Sequence, residues 1–321
     1  MPGVDQYRGA KLNLPPVRKP PRIRSGDLVG VIAPSGPVEE GRLRAGIAVL
    51  ERWGLRVVLG ESVFDRHTYL AGGDGARRDD VQRMIGDPTV RAIFCARGGY
   101  GSQRLLPSLD LSPLRERPKP IIGYSDVTAL LNAALGAGVV AVHGPMVADD
   151  IARGLSQRSE KQLQTVLMDA EHLWEAEVPE TIRPGRATGR LAGGCLSVLV
   201  ATLGTPWAPD TDGAILFLED VHEAPYRLDR LLTQLHQAGK LDRVAGVVFG
   251  TFAGCPPSDV AAALDVMRAC CGGLDCPVGF GLPAGHDVGG AGCENLALPF
   301  GVQVALDTER GRLSALEPAV C

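Results

Sequence analysis

From Asp27 onward the chain alternates short, uniformly apolar runs with stretches whose apolar residues recur at helical spacing, and few folds accommodate that alternation. The runs are Leu28 to Ala33, Val57 to Leu59, Ala92 to Ala96 and Pro120 to Gly123; the helical stretches are Arg42 to Trp53, Asp79 to Ile85 and Val127 to Leu135. A strand that is apolar on both faces must be covered on both, the condition met by a parallel sheet with helices on either side. The sequence therefore predicts a doubly wound α/β domain over residues 25–170.

After Ser156 the chain turns polar, ending in Glu175-Ala176-Glu177 and Arg183-Pro184-Gly185, which reads as a surface linker over 171–187. A second domain over 188–321 carries the strand Ala214 to Leu218, a helix from Tyr226 to Ala238, the strand Gly246 to Gly250, a loop at Gly285-His286-Asp287 and a final strand pair near Val302 to Leu306 and Leu313. Residues 1–24 hold five prolines and six cations against one acid and predict an extended arm that packs little of itself.

The formal net charge of −4 gives no electrostatic case for nucleic acid, whose binders usually present a basic face. Neither a signal-like N-terminal segment nor a run of 18 apolar residues is found, so the expectation is a cytoplasmic enzyme, without a membrane, acting on a small molecule. The eight cysteines (95, 195, 255, 270, 271, 276, 293 and 321) are scattered, as reduced thiols would be. Cys270, Cys271 and Cys276 with Cys293 lack the paired spacing of a zinc site, so no metal is expected.

The chemistry-bearing candidate is Ser125 in Ile121-Ile122-Gly123-Tyr124-Ser125-Asp126, between an apolar run and a helix. A serine there commonly caps the helix. The carboxyl end of a buried parallel strand is also where reactive groups of open α/β sheets collect, and a hydroxyl on such a corner suits a nucleophile. Among six histidines, His172 and His236 read as surface residues; His286, preceded by Gly285, can reach into a cleft, and His143, ending an apolar run, is the rival base. Glu219 ends the apolar strand Ala214 to Leu218, where a charge is costly unless paired, so it is the candidate to orient the base; a solvent-facing or capping role is the alternative. Asp220 should point to the opposite side. Arg97-Gly98-Gly99-Tyr100-Gly101-Ser102 has neither a Walker lysine nor the dinucleotide spacing, but its glycines allow close approach of backbone N–H groups, so Gly99 N–H with Asp126 N–H forms a candidate oxyanion hole.

Taken together, Gly30 to Pro37, Arg97 to Arg104, Gly123 to Leu130, His143-Gly144-Pro145, Gly204-Thr205-Pro206, Leu218 to Arg230 and Gly285-His286 resemble the LD-carboxypeptidases of the S66 serine peptidases, in the family's order. The resemblance implies a flavodoxin-like N-terminal domain and a smaller β-rich α/β C-terminal domain, usually as a homodimer. It implies catalysis without metal or cofactor by Ser125 as nucleophile, His286 as base and Glu219 as its orienting acid. The implied reaction releases the terminal D-alanine of murein tetrapeptides in cytosolic cell-wall recycling; a branch of the family cleaves peptidyl-nucleotides of the microcin C type. Arg97 and Arg227 are candidates to bind the substrate carboxylate. Where the family commonly has Asn after Gly193-Gly194, this chain has Cys195. The rivals from other classes are a non-catalytic two-domain binding protein and a metal-dependent hydrolase on the cysteine cluster.

Overall fold

The computed structural model describes residues 16–254, 259–287 and 292–321. In chain order the strands are β1 (Leu28–Ile32), β2 (Arg56–Leu59), β3 (Val90–Cys95), β4 (Ile121–Gly123), β5 (Ala141–His143), β6 (Glu175–Glu177), β7 (Glu180–Arg183), β8 (Arg186–Cys195), β9 (Ala214–Val221), β10 (Gly246–Ala253), β11 (Val278–Phe280), β12 (Leu298–Phe300), β13 (Gln303–Asp307) and β14 (Arg312–Ala315). The helices are α1 (Glu40–Arg52), α2 (Asp74–Gly86), α3 (Ser112–Glu116), α4 (Thr128–Gly136), α5 (Gln157–Met168), α6 (Leu196–Ala201), α7 (Pro225–Gln237) and α8 (Asp259–Cys271).

Two sheets result. In the first, β2-β1-β3-β4-β5 run parallel in the flavodoxin-like order, and β12 adds an antiparallel edge to β5. The order reverses direction beside β1, so the loops leaving the carboxyl ends of β1, β3 and β4 converge on one crevice. The second sheet runs β6-β14-β13-β8-β9-β10-β11-β7, with a parallel centre from β8 to β11 and antiparallel flanks. One apolar core is shared between the sheets, because Leu191, Ile215, Phe217, Val304 and Leu306 cluster with the interior of the first half. A second core lies between the other face of the second sheet and α6, α7 and α8, around Leu199, Leu228, Phe249 and Met267.

The apolar runs of β1, β3 and β4 are strands buried almost along their length, as Val29, Val31, Ile93, Phe94, Ile121 and Ile122 are, whereas the edge strand β2 is only partly buried. Four expectations are corrected. The linker 171–187 is β6, β7 and the start of β8: edge strands with one solvated face carry charges at alternate positions, so Glu175 and Glu177 are exposed while Ala176 is buried. The polar stretch after Ser156 holds α5, capped by the Ser156 hydroxyl on the Ser159 N–H. The boundary at 188–321 is crossed by β12, which completes the first sheet. The arm 1–24 packs where it is described: Ile23 is buried, its N–H donates to Leu167 O, and Arg22 N–H donates to Cys321 O; residues 1–15 lie outside the described residues. No helix among the described residues is long and apolar enough to cross a membrane.

Candidate active site

Ser125 sits on a sharp corner. Tyr124 leaves β4 in an extended conformation, Ser125 takes a φ of 61°, and a 3-10 turn over Ser125–Val127 runs into α4. A left-handed non-glycine residue costs on the order of 1–3 kcal/mol and persists only where its surroundings hold it. Here the neighbouring carboxylate does so: Asp126 Oδ2 accepts from Ser35 Oγ at 2.5 Å and from Ser102 N–H at 2.8 Å, and the Asp126 carbonyl accepts from Ser102 Oγ at 2.5 Å. The loops after β1, β3 and β4 are thereby tied at one buried point. Ser125 makes no capping bond; its Oγ lies 3.0 Å from His286 Nε2.

His286 reaches that hydroxyl from the second half. Its Nδ1 lies 2.7 Å from Glu219 Oε2, which also accepts the His286 backbone N–H at 3.0 Å. A carboxylate at Nδ1 sets the tautomer that leaves Nε2 free to accept a proton from the serine. Glu219 is fully buried on β9, and Gly285 permits this approach: it has a φ of 111°, and a Cβ there would stand 2.6 Å from Glu219 Oε2. Asn295 Oδ1 accepts the Gly285 N–H at 2.9 Å, so the loop is anchored on both sides of the ring. Burial pushes the His286 pKa down, but the charge and hydrogen bond of Glu219, with Asp220 and Asp150, outweigh it and leave the pKa above 6.5.

The Gly98-Gly99 peptide passes beside the hydroxyl: a Cβ on Gly98 would lie 3.0 Å from Ser125 Oγ. Gly99 N–H follows directly, and Asp126 N–H is the amide after the serine. His143, the rival base, is fully buried against Tyr124, Phe217 and Phe300, and neither ring nitrogen has a hydrogen-bond partner among the described residues. Burial, with the nearby His286, pushes its pKa down to about 3, so it stays neutral. His172 and His236 are exposed.

Asp220 turns away from Glu219, accepting the N–H groups of Ser197 and Val221. Cys195, beside Glu219 in the strand register, is buried with its Sγ 3.5 Å from Asp220 Oδ1. Arg97 is exposed and donates to Pro37 O; Arg227 donates to Tyr226 OH at 3.3 Å. Neither arginine hydrogen-bonds to Ser125, His286 or Glu219. The cysteine cluster does not assemble: Cys293 lies against Asp150, away from the α8 thiols, and no group of three or more metal-ligating side chains occurs among the described residues. Cys255 and the glycines 289 and 290 after the histidine loop lie outside the described residues.

The sequence assigns no role to the Asp126 side chain, Tyr124, Asp150, Arg153 or Asn295. Asp150 and Asn295 are fully buried polar residues, which mark built networks, but nothing local in the sequence announces their burial.

Two family models match the chain, the LD-carboxypeptidase N-terminal domain over residues 29–144 and the LD-carboxypeptidase C-terminal domain over residues 188–306. A putative carboxypeptidase of Streptomyces coelicolor is 43% identical, covering 94% of this chain and 97% of its own. A probable murein peptide carboxypeptidase of Bacillus subtilis is 39% identical over 90% of this chain and 92% of its own. The crystal structure of muramoyltetrapeptide carboxypeptidase from Oxalobacter formigenes superposes with a TM-score of 0.77 at 32% identity, covering 90% of this chain and 97% of that one.

Proposed function

Because the chain belongs to the LD-carboxypeptidase family, we propose that it is a serine-type carboxypeptidase that releases the terminal D-alanine of murein tetrapeptides. The observation that carries this reading is the meeting of three residues remote in sequence: the strained Ser125, the His286 ring 3.0 Å from it, and the buried Glu219 at 2.7 Å behind that ring.

The steps follow from the geometry. Ser125 Oγ attacks the carbonyl carbon before the terminal D-residue while its proton passes to His286 Nε2. The carbonyl oxygen takes up the negative charge and is stabilised by the N–H groups of Gly99 and Asp126. Glu219 stabilises the imidazolium, which gives its proton to the amine of departing D-alanine as the C–N bond breaks. Water then loses a proton to His286, adds to the acyl-serine, and the acyl bond to Ser125 breaks with the proton returned to Oγ. The substrate's terminal carboxylate needs a cation or N–H donors, for which Arg97 and Arg227 are the candidates. A homodimer acting in the cytoplasm in murein recycling completes the proposal.

Mass spectrometry of murein tetrapeptide after incubation with the protein tests it, the expected product lacking one D-alanine. Ser125→Ala should lower kcat by about 10³-fold or more with the fold retained. Near-normal turnover in that variant removes Ser125 as nucleophile, and turnover of a peptidyl-nucleotide in place of the tetrapeptide moves the substrate assignment.

A further inference from the structure

Glu219 accounts for one edge of the His286 ring. The other contacts lead to a single buried carboxylate that the chemistry above leaves unused. The Tyr124 ring meets the imidazole edge to face, with centroids 4.9 Å apart and planes at 67°, and its hydroxyl donates to Asp150 Oδ1 at 3.1 Å. Asp150 is fully buried on a π-helical turn, Val147–Ile151, a geometry that recurs at functional sites. Its carboxylate also accepts from Met146 N–H at 3.0 Å, the Cys293 thiol at 3.3 Å and Arg153 Nη2 at 3.0 Å. Arg153 donates in turn to the carbonyl of Asp287, the residue after His286, at 3.3 Å.

Asp150 thus reaches His286 along two routes, through an aromatic ring lying against the imidazole and through an arginine gripping the backbone one residue beyond it. The turn is itself fastened to the first sheet, since Ala148 N–H donates to Ala96 O at 2.8 Å, just past β3. Ser125 stands on the same sheet, one strand over. Nucleophile and base are therefore referenced to one rigid frame even though they come from different halves of the chain.

We propose that Asp150 is the positioning residue of the His286 loop, setting through Tyr124 and Arg153 the plane and depth at which the imidazole meets the Ser125 hydroxyl. This rests on His286 acting as the base. Glu219 and Tyr124 touch the ring, and the charges of Asp220 on β9 and Asp150 on the π-helical turn, with the imidazole of His143 at the end of β5, act on it from further off. Exchanging Asp150 for a neutral residue removes one negative charge and lowers the pH at which the ring loses its proton, whereas removing the Tyr124 hydroxyl leaves that charge in place.

The experiment follows the rate at which a fluorophosphonate labels Ser125, across pH, in the full chain and in Tyr124→Phe and Asp150→Asn, with thermal melts as a check on folding. Labelling needs no knowledge of the peptide substrate, so it separates this proposal from the substrate assignment; absence of labelling in the unaltered chain would count against the nucleophile, not against Asp150. Tyr124→Phe should label about 10- to 100-fold more slowly, as misplacement of a catalytic group by a fraction of an ångström to 1 Å does. A folded Asp150→Asn should lose at least as much and shift the midpoint of the acid limb downward. Tyr124→Phe labelling at the unaltered rate overturns the proposal whether or not Asp150→Asn folds, and so does a folded Asp150→Asn with an unmoved midpoint.

Discussion

Replacing Gly98 by alanine probes the catalytic centre with one added methyl group. The Cβ would lie 2.8 Å from Ser125 Cβ, 3.0 Å from Ser125 Oγ and 3.5 Å from Met146 Cε. Carbon atoms rest at about 3.5–4.0 Å, so the serine and the loop must part by roughly 0.7 Å or more. The serine has little room to yield, because Asp126 ties its turn to Ser35 and Ser102; the loop is held too, since Gly98 O accepts the Gly36 N–H at 3.1 Å. The parting therefore falls on the Ser125 to His286 contact or on the Gly99 amide, the two distances that the chemistry needs. Misplacement on the scale of 1 Å costs about 100-fold in rate, or about 2.7 kcal/mol of transition-state stabilisation. Overpacking should lower folding stability by about 1–3 kcal/mol. The assay is D-alanine release with kcat and KM separated, alongside a thermal melt. Gly75→Ala is the matched control: nothing lies within 4 Å of its added Cβ, it sits in α2, and it should leave kcat unchanged while raising stability by up to about 1 kcal/mol. A folded Gly98→Ala with kcat within about twofold of the unaltered chain would refute the placement of the loop against the nucleophile.

The base form of His286 is the neutral ring and its pKa lies above 6.5, so kcat/KM should rise with pH through a midpoint above that value. Glu219→Gln should move the midpoint down and cut the rate by up to about 10⁴-fold; a midpoint that stays put in this variant contradicts the pairing. His143→Phe exchanges an imidazole with two unpartnered nitrogens for an apolar ring among Tyr124, Phe217 and Phe300. It should keep activity within about threefold and melt at the same temperature or higher, because a buried polar group without partners costs about 1–3 kcal/mol; loss of turnover in a well-folded variant would restore His143 as a catalytic candidate.

What the sequence disclosed follows from which forces act locally. The central parallel strands β1, β3 and β4 are legible because burial on both faces leaves them almost wholly apolar. Glu219 is legible because a carboxylate closing five apolar residues has to be paired, and His286 because a glycine beside it marks close approach. The edge strands were read as a linker because one face of each is solvated, and three residues such as Glu175-Ala176-Glu177 are too few to establish a period. β12 was missed for a different reason: Leu298-Pro299-Phe300 is short and contains a proline that an edge strand tolerates, and its partner β5 lies far back in the sequence. Nothing local marks Asp150, because its burial follows from Tyr124 and Cys293, which only the tertiary fold brings to it.

The shared core bears on how the site works. A groove between two independently folded lobes would call for closure before catalysis, with the base and nucleophile apart in the open form. Here the interior of the second sheet packs into the first half through Ile215 and Phe217, and β12 lies within the first sheet although the chain reaches it after most of the second. Separating the halves would expose that core and strip β5 of its antiparallel partner, a cost far above the few kcal/mol of an ordinary hinge motion. The 3.0 Å and 2.7 Å contacts of His286 span this shared core, joining Ser125 of the first half to Glu219 of the second. The halves therefore hold base and nucleophile together as one body, and the strain in the Ser125 backbone is held by the bonds of Asp126 to Ser35 and Ser102.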